Sequence, residues 1–201
     1  MNATDALMND HRVIEQVLGC LEVMAAQAEA TGVLDVDSAA RALDFFRVFA
    51  DRHHHGKEEG HLFPLLEARG LVRHGGPTGV MLHEHELGRA LLADLAAAIE
   101  RQSAADFLSP AREYVQLLRD HIWKEDQRLF RFADQLLGEE EDRQLMQAFA
   151  AAEQAALGEG TRASYLQLAS QLAERFGVQR GQTPHSCGGG CSGHGLPGKN
   201  G

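Results

Sequence analysis

Two segments of the sequence place a histidine four residues before a glutamate and follow each glutamate with a Leu-Phe pair. In the first segment His54 precedes Glu58, and in the second His121 precedes Glu125. Positions four apart lie on one face of an α-helix, about one turn from each other, so each pair can bind one metal site. Imidazole and carboxylate together suit iron, manganese or zinc, whereas calcium and magnesium prefer oxygen ligands alone. The repeat therefore predicts two helices that direct metal ligands into the protein interior.

Apolar residues recur at intervals of three and four along most of the chain, which is typical of amphipathic helices. The pattern predicts helices over about residues 5–30, 37–69, 78–101, 110–137, 139–157 and 162–176, and no convincing strand. Ser109 and Pro110 resemble the N-cap and first residue of the fourth helix. Pro64 lies inside the second helix and predicts a kink or a tightened turn there.

We divide the chain into three predicted parts, which are a four-helix bundle over 1–137, a C-terminal helical extension over 138–176 and a tail over 177–201. Gly, Ser and Pro dominate the tail and leave no periodicity, so it is predicted to be flexible and disordered. Cys187 and Cys191 in the tail have a spacing unlike that of a zinc finger. Transient capture of a soft metal, a redox disulfide and a simple flexible end all remain open interpretations.

Charge and hydropathy exclude several classes of partner. The formal net charge is −10, and no Lys- or Arg-rich block is present, so nucleic acid and anionic membranes are not expected partners. No apolar run approaches the length of a membrane span, and the N-terminus lacks a basic-then-apolar signal segment. We therefore expect a cytoplasmic protein that does not bind membranes.

Histidines and glutamates interrupt the apolar stripes of the four long predicted helices. A single histidine on an apolar face is usually a hydrogen-bonded core residue, but a buried carboxylate must pair, bind a metal or remain protonated. Carboxylates can bridge two ions, so two glutamates shared among four histidines fit two adjacent metals better than one. The candidate metal ligands are His11, His54, Glu58, His85, His121 and Glu125.

At these residues the sequence resembles the hemerythrin-like, or HHE cation-binding, family. That family has one histidine on its first helix, His-x-x-x-Glu on its second, a histidine on its third, and His-x-x-x-Glu or His-x-x-x-x-Asp on its fourth. The Lys-Glu-Glu-x-x-Leu-Phe-Pro segment that starts at Lys57 and the pair Glu84-His85 are also similar to the family. The resemblance implies an all-α, up-down-up-down four-helix bundle that holds a non-haem di-iron centre, with two Fe ions as the cofactor.

The third helix departs from the pattern of the oxygen-carrying members of that family. Those members have His-x-x-x-His there, whereas the residue four before His85 is Met81. Four histidines with two carboxylates look closer to the branches that repair iron-sulfur clusters or sense iron. The resemblance therefore does not favour reversible oxygen carriage.

Two ligand assignments have competitors nearby in the sequence. Asp126 lies five residues after His121 and competes with Glu125, which we prefer because its register relative to the following Leu-Phe matches that of Glu58. His53 and His55 flank the candidate ligand His54. Both are expected to point away from the metal site, either into solvent or toward groups that surround the ligands.

Two functional hypotheses follow from this set. The first is a di-iron protein that binds or reduces dioxygen, nitric oxide or peroxide, which as an oxidoreductase would receive electrons from a redox partner protein. The alternative is a non-catalytic iron or redox sensor, or an iron donor, that acts through a partner protein. The sequence does not indicate an oligomeric state.

Overall fold

A computed structural model describes residues 2–157 and 161–179, and every regular element within them is helical, which confirms the all-α class. The α-helices are α1 (Ala3–Thr31), α2 (Val36–Phe45), α3 (Phe63–Ala68), α4 (Pro77–Glu100), α5 (Ala104–Lys124), α6 (Phe130–Leu136), α7 (Glu139–Leu157) and α8 (Thr161–Phe176). Three π-helical segments are π1 (Phe46–His55), π2 (Glu58–Leu62) and π3 (Glu125–Leu129). Among the described helices, none combines the length and the hydropathy of a membrane-spanning segment. Cys187 and Cys191 of the predicted tail lie outside the described residues.

The π-helical segments widen two long helices that otherwise run without a break from 36 to 68 and from 104 to 136. In π2 the amide of Phe63 donates to the carbonyl of Glu58, and in π3 the amide of Phe130 donates to the carbonyl of Glu125. Of the kink or tightened turn predicted at Pro64, the tightened turn is wrong, because the turn directly before this proline is widened, and the kink stays a prediction. π-helical turns occur frequently at functional sites.

The fourth long helix begins earlier than the sequence predicts. The side chain of Ser103 accepts a hydrogen bond from the amide of Asp106 at 3.2 Å and caps α5. The hydroxyl of Ser109, predicted as the cap, instead donates to Glu113 at 2.6 Å. Pro110 therefore lies inside the helix instead of starting it.

The long helices pack closely on each other, and the two C-terminal helices pack onto them. α5 lies along both α1 and α4, while α2 and π1 contact α1 and α4. α8 packs against α1 and α2, and α7 packs against π1 and π2. α7 therefore covers the two π-helical segments of the second long helix, while α8 covers α1 and α2.

Buried apolar side chains form two separate clusters. On α1, Leu7 belongs to the smaller cluster and Ile14 to the larger one, and on the second long helix Ala50 and Leu62 are divided in the same way. The four long helices are α1, the helix over 36–68, α4 and the helix over 104–136. On each of them the predicted ligands lie at the position where the residues of one apolar cluster end and those of the other begin. A layer of buried polar side chains therefore separates the two apolar clusters.

Candidate metal centre

Seven side chains with metal-ligand chemistry meet in this polar layer, and each is at most 5% exposed. They are His11 from α1, His54 and His55 from π1, Glu58 from π2, His85 from α4, His121 from α5 and Glu125 from π3. The structure thus brings together all six candidate ligands and adds one histidine.

These side chains form two groups, each with its ligand atoms within 4.8 Å of one another. The first group contains His11, His54, Glu58 and Glu125. The second group contains His55, Glu58, His85 and His121. Glu58 is common to both, as expected of a carboxylate that bridges two ions.

In the first group the imidazole nitrogens face each other and the carboxylates. The Nε2 atoms of His11 and His54 are 2.9 Å apart. Nε2 of His11 lies 3.3 Å from Oε2 of Glu125, and Nε2 of His54 lies 3.4 Å from Oε1 of Glu58. Two nitrogens and two carboxylates therefore converge on one point.

In the second group the same arrangement recurs. The Nε2 atoms of His85 and His121 are 3.1 Å apart. Nε2 of His85 lies 3.7 Å from Oε2 of Glu58, and Nε2 of His121 lies 3.2 Å from Oε2 of Glu125. Glu58 faces the two groups with its two oxygens, and Oε2 of Glu125 lies between His11 and His121, so both glutamates reach both groups.

His55 was expected to point away from the site, and the structure places it inside. Its ring stacks on that of His85, with centroids 3.8 Å apart and an angle of 12° between the planes. The error came from assuming a regular α-helix, because π1 changes the direction of successive side chains. His53 also differs from the solvated interpretation, since it is buried and its Nε2 lies 3.4 Å from Asp10.

A sequence signal for these π-helical segments was present. Buried residues recur in steps of four along the second long helix, at Phe46, Ala50, His54, Glu58, Leu62 and Leu66. In a regular α-helix each step of four overshoots one turn by about 40°, so five steps would rotate the stripe by roughly 200°. Because all six residues are buried, wider turns must absorb this rotation.

Each imidazole in the cluster also turns its Nδ1 atom toward an outer carboxylate. The Nδ1–carboxylate distances are 2.7 Å for His11 and Asp126, 3.8 Å for His54 and Asp10, 3.4 Å for His55 and Asp51, 2.7 Å for His85 and Glu59, and 3.0 Å for His121 and Glu84. Carboxylates in this position orient metal-binding histidines and increase their basicity. The structure thus places Asp126, the competitor of Glu125, behind an imidazole and not between the two groups.

Each outer carboxylate pairs in turn with a cation. Arg12 pairs with Asp126, Lys57 and Arg162 with Asp10, Arg89 with Asp51 and Glu59, and Lys124 with Glu84. Chains of histidine, carboxylate and cation therefore radiate from the cluster, and each holds one ring in place.

The residues present fit a pair of metal ions. Within the described part of the chain, none of the four carboxylate oxygens of Glu58 and Glu125 has a hydrogen-bond partner, although both residues are 0% exposed. Buried carboxylates without such partners are costly. Cations between these oxygens and the surrounding imidazoles would satisfy them.

Protonation states differ sharply across the cluster. Burial and the nearby charge of Glu125 raise the pKa of Glu58 well above its usual value. Burial alone would raise the pKa of Glu125 as well, but the positive charge of His121 and the nearby imidazole of His11 lower it. Burial alone would lower the pKa of His121, but Glu125 and Glu84 raise it to about 9. At neutral pH the metal-free cluster therefore holds a proton on His121, and Glu58 binds a proton more readily than an ordinary glutamate does.

We expect metal affinity to increase with pH between about 7 and 9, because a metal ion must displace the proton of His121. Each displaced proton contributes about a tenfold gain in affinity per pH unit below its pKa. Competition with a chelator of known affinity at several pH values measures this gain, and an indicator dye in weak buffer measures the released protons. A constant affinity across this range would contradict the assigned protonation states.

Comparison with known proteins adds a family and distant relatives. A model of the hemerythrin HHE cation binding domain matches residues 2–133. Uncharacterized proteins of Mycobacterium bovis and Mycobacterium tuberculosis are 24% identical over 186 residues, an alignment that covers 89% of this chain and 71% of each relative. No solved structure matches the chain significantly. All seven residues of the cluster lie within the family match.

Proposed function

Because this chain belongs to the hemerythrin HHE cation-binding family, we propose that its cluster holds two iron ions and binds or reduces dioxygen, nitric oxide or peroxide. The observation that carries the proposal is the contact of both Glu58 and Glu125 with both groups. We further propose that the four long helices form an up-down-up-down bundle in a cytoplasmic protein.

The ligand chemistry supports iron. Five imidazoles and two carboxylates suit iron, manganese or zinc, and only the first two of these change oxidation state readily. Bound iron would supply redox chemistry and coordination positions for a small ligand. We propose that the six candidate ligands and His55 hold the two ions.

The protein's own side chains restrict what reaches the cluster. The ring of Phe130 stacks on His11 with centroids 5.5 Å apart, and Phe63 stacks on His85 at 6.0 Å. Apolar clusters lie on both sides of the polar layer. We propose that this enclosure admits diatomic molecules and peroxide while it excludes larger substrates.

The two groups are unequal, and we propose that the small ligand binds at the first. The first group has two imidazoles and the second has three, while both can share the glutamates. The first ion therefore has fewer protein ligands and more room for an exogenous one.

A sensor is the second candidate function, and one set of contacts favours it. Glu153 of α7 and Arg162 of α8 contact His53 and Asp10, which lie directly outside the first group. A change in metal occupancy or oxidation state would therefore alter the contacts of the C-terminal helices. Such a change could be transmitted to a partner protein.

We expect about two irons per chain in protein purified from iron-replete cells, with an optical spectrum typical of an oxidised di-iron centre. Repeated turnover of nitric oxide or peroxide with excess reductant would support the oxidoreductase, whereas a single stoichiometric reaction would support the sensor. An iron content near one, or zinc as the sole tightly bound metal, would contradict the di-iron proposal.

A further inference from the structure

One contact links the metal cluster to a helix that lies beyond the family match. The match ends at residue 133, and Arg162 belongs to α8. Nη2 of Arg162 nevertheless donates to Oδ1 of Asp10 on α1 at 2.6 Å. Asp10 is only 1% exposed, whereas the side chain of Arg162 is 35% exposed, so the pair connects the interior to the surface.

The other oxygen of Asp10 faces the metal cluster. Oδ2 accepts a hydrogen bond from Nζ of Lys57 at 2.6 Å and lies 3.8 Å from Nδ1 of His54. This is the longest of the five distances between a cluster imidazole and its outer carboxylate. Nδ1 of His54 is buried and makes no hydrogen bond among the described residues, so Asp10 faces it as a nearby negative charge. The position of Asp10 therefore determines the charge that Nδ1 of His54 meets.

The C-terminal helices also hold Arg162 in place. Its Nε atom lies 3.4 Å from Oε2 of Glu153 on α7, and its guanidinium carbon lies 5.9 Å from the ring centroid of Phe49. Nζ of Lys57, which also pairs with Asp10, lies over the ring of Phe149 from α7, 5.7 Å from its centroid. Both cations that fix Asp10 are thus themselves fixed by α7 or α8.

We propose that Arg162 is a positioning residue of the metal centre, so that the two C-terminal helices form part of the His11–His54 group. The inference rests on the proposed di-iron function. Without Arg162, Oδ1 of the buried Asp10 loses its donor, and the carboxylate is no longer fixed in its position beside His54. Because His54 belongs to the first group alone, the effect falls on one metal position and spares the other.

The test is an anaerobic titration of the full chain with Fe²⁺ against a chromogenic chelator. Loss of a carboxylate behind a ligand usually costs 10–100-fold in metal affinity, so loss of the arginine behind it should cost about tenfold. In Arg162→Met we expect this loss for one of the two irons and an unchanged affinity for the other. The optical spectrum of the oxidised variant should differ from that of the wild type, which a purely structural role would not cause. Arg162→Lys, which keeps a cation near Asp10, should restore most of the affinity.

Arg175→Met is the matched control. Arg175 also ties α8 to the long helices, since it donates to Asp35 at 2.7 Å, but it does not contact Asp10. This variant should bind both irons as the wild type does. Equal losses in Arg162→Met and Arg175→Met, an equal loss of both irons in Arg162→Met, or no loss in Arg162→Met would overturn the inference. A wild type that binds no iron would overturn the proposed function itself, and the inference with it.

Discussion

Replacement of Glu58 by glutamine is expected to empty both metal positions. Glu58 belongs to both groups, with Oε1 facing His54 and Oε2 facing His85. Glutamine keeps the shape of this side chain but removes its negative charge, which two cations would share. Loss of a residue that supports a ligand from outside costs up to about 100-fold in metal affinity. Because Glu58 would itself be a ligand, we expect the affinity for both ions to fall by more than that. Metal analysis after dialysis against a chelator measures the loss.

Misfolding does not account for this result. Burial and Glu125 raise the pKa of Glu58, so both favour the neutral form of this side chain in the metal-free protein. The amide of Glu58→Gln resembles that protonated carboxyl, and the variant should have the helical content of the metal-free wild type. Retention of either iron at wild-type affinity would show that Glu58 does not bridge.

The adjacent glutamate provides a matched control. Glu59 accepts a hydrogen bond from Nδ1 of His85 at 2.7 Å and pairs with Arg89, so it acts from outside the second group. Glu59→Gln should keep two irons and weaken the binding of one of them by about 10–100-fold.

The same contrast applies on the fourth helix. There Glu125→Gln should lower the affinity for iron strongly, and Asp126→Asn should lower it only mildly. If Asp126→Asn empties the site while Glu125→Gln keeps both irons, the ligand assignment there is wrong.

Removal of the metal is expected to lower the melting temperature by about 10 °C. Metal ions that bind only the folded state stabilise it by about 4.1 kcal/mol at a free concentration 1,000 times the dissociation constant. For a chain of this size each kcal/mol changes the melting temperature by roughly 2–4 °C. Without the ions, the interior keeps unpartnered carboxylate oxygens and closely opposed imidazoles.

Thermal unfolding followed by circular dichroism, with and without iron, measures this difference. Glu58→Gln serves as the control, because its melting temperature should not respond to added iron. Identical melting curves for metal-free and iron-loaded wild type would show that these residues do not bind iron in the folded state.

The spacing of residues in the sequence was sufficient to predict the helices and six members of the cluster. An interval of four between His54 and Glu58 brings two side chains together within one helix, and this is local information. His55 was missed because a regular α-helix was assumed, although burial in steps of four already requires wider turns. The π-helical segments are therefore the main departure from the predicted helices.

Four of the five outer carboxylates could not be predicted because they act across helices, whereas Asp51 serves His55 four residues further along the same helix. Each of these four is a sequence neighbour of a cluster residue, yet it serves an imidazole on a different helix. Asp10 precedes His11 in the sequence but faces His54, and Asp126 follows Glu125 but contacts His11. Arg162 is separated from Asp10 by 152 residues, a distance over which no spacing rule operates. These partnerships depend on how the helices pack.

The chains of histidine, carboxylate and cation determine the electrical balance of the interior. The five outer carboxylates are matched by five cations, Arg12, Lys57, Arg89, Lys124 and Arg162, so this shell is neutral as a whole. Two divalent ions would bring four positive charges, of which Glu58 and Glu125 offset two. The loaded interior would therefore be cationic in a medium of low dielectric constant. A small anion would offset this excess charge, so the residues around the cluster would favour an anionic ligand over a neutral one at the loaded site.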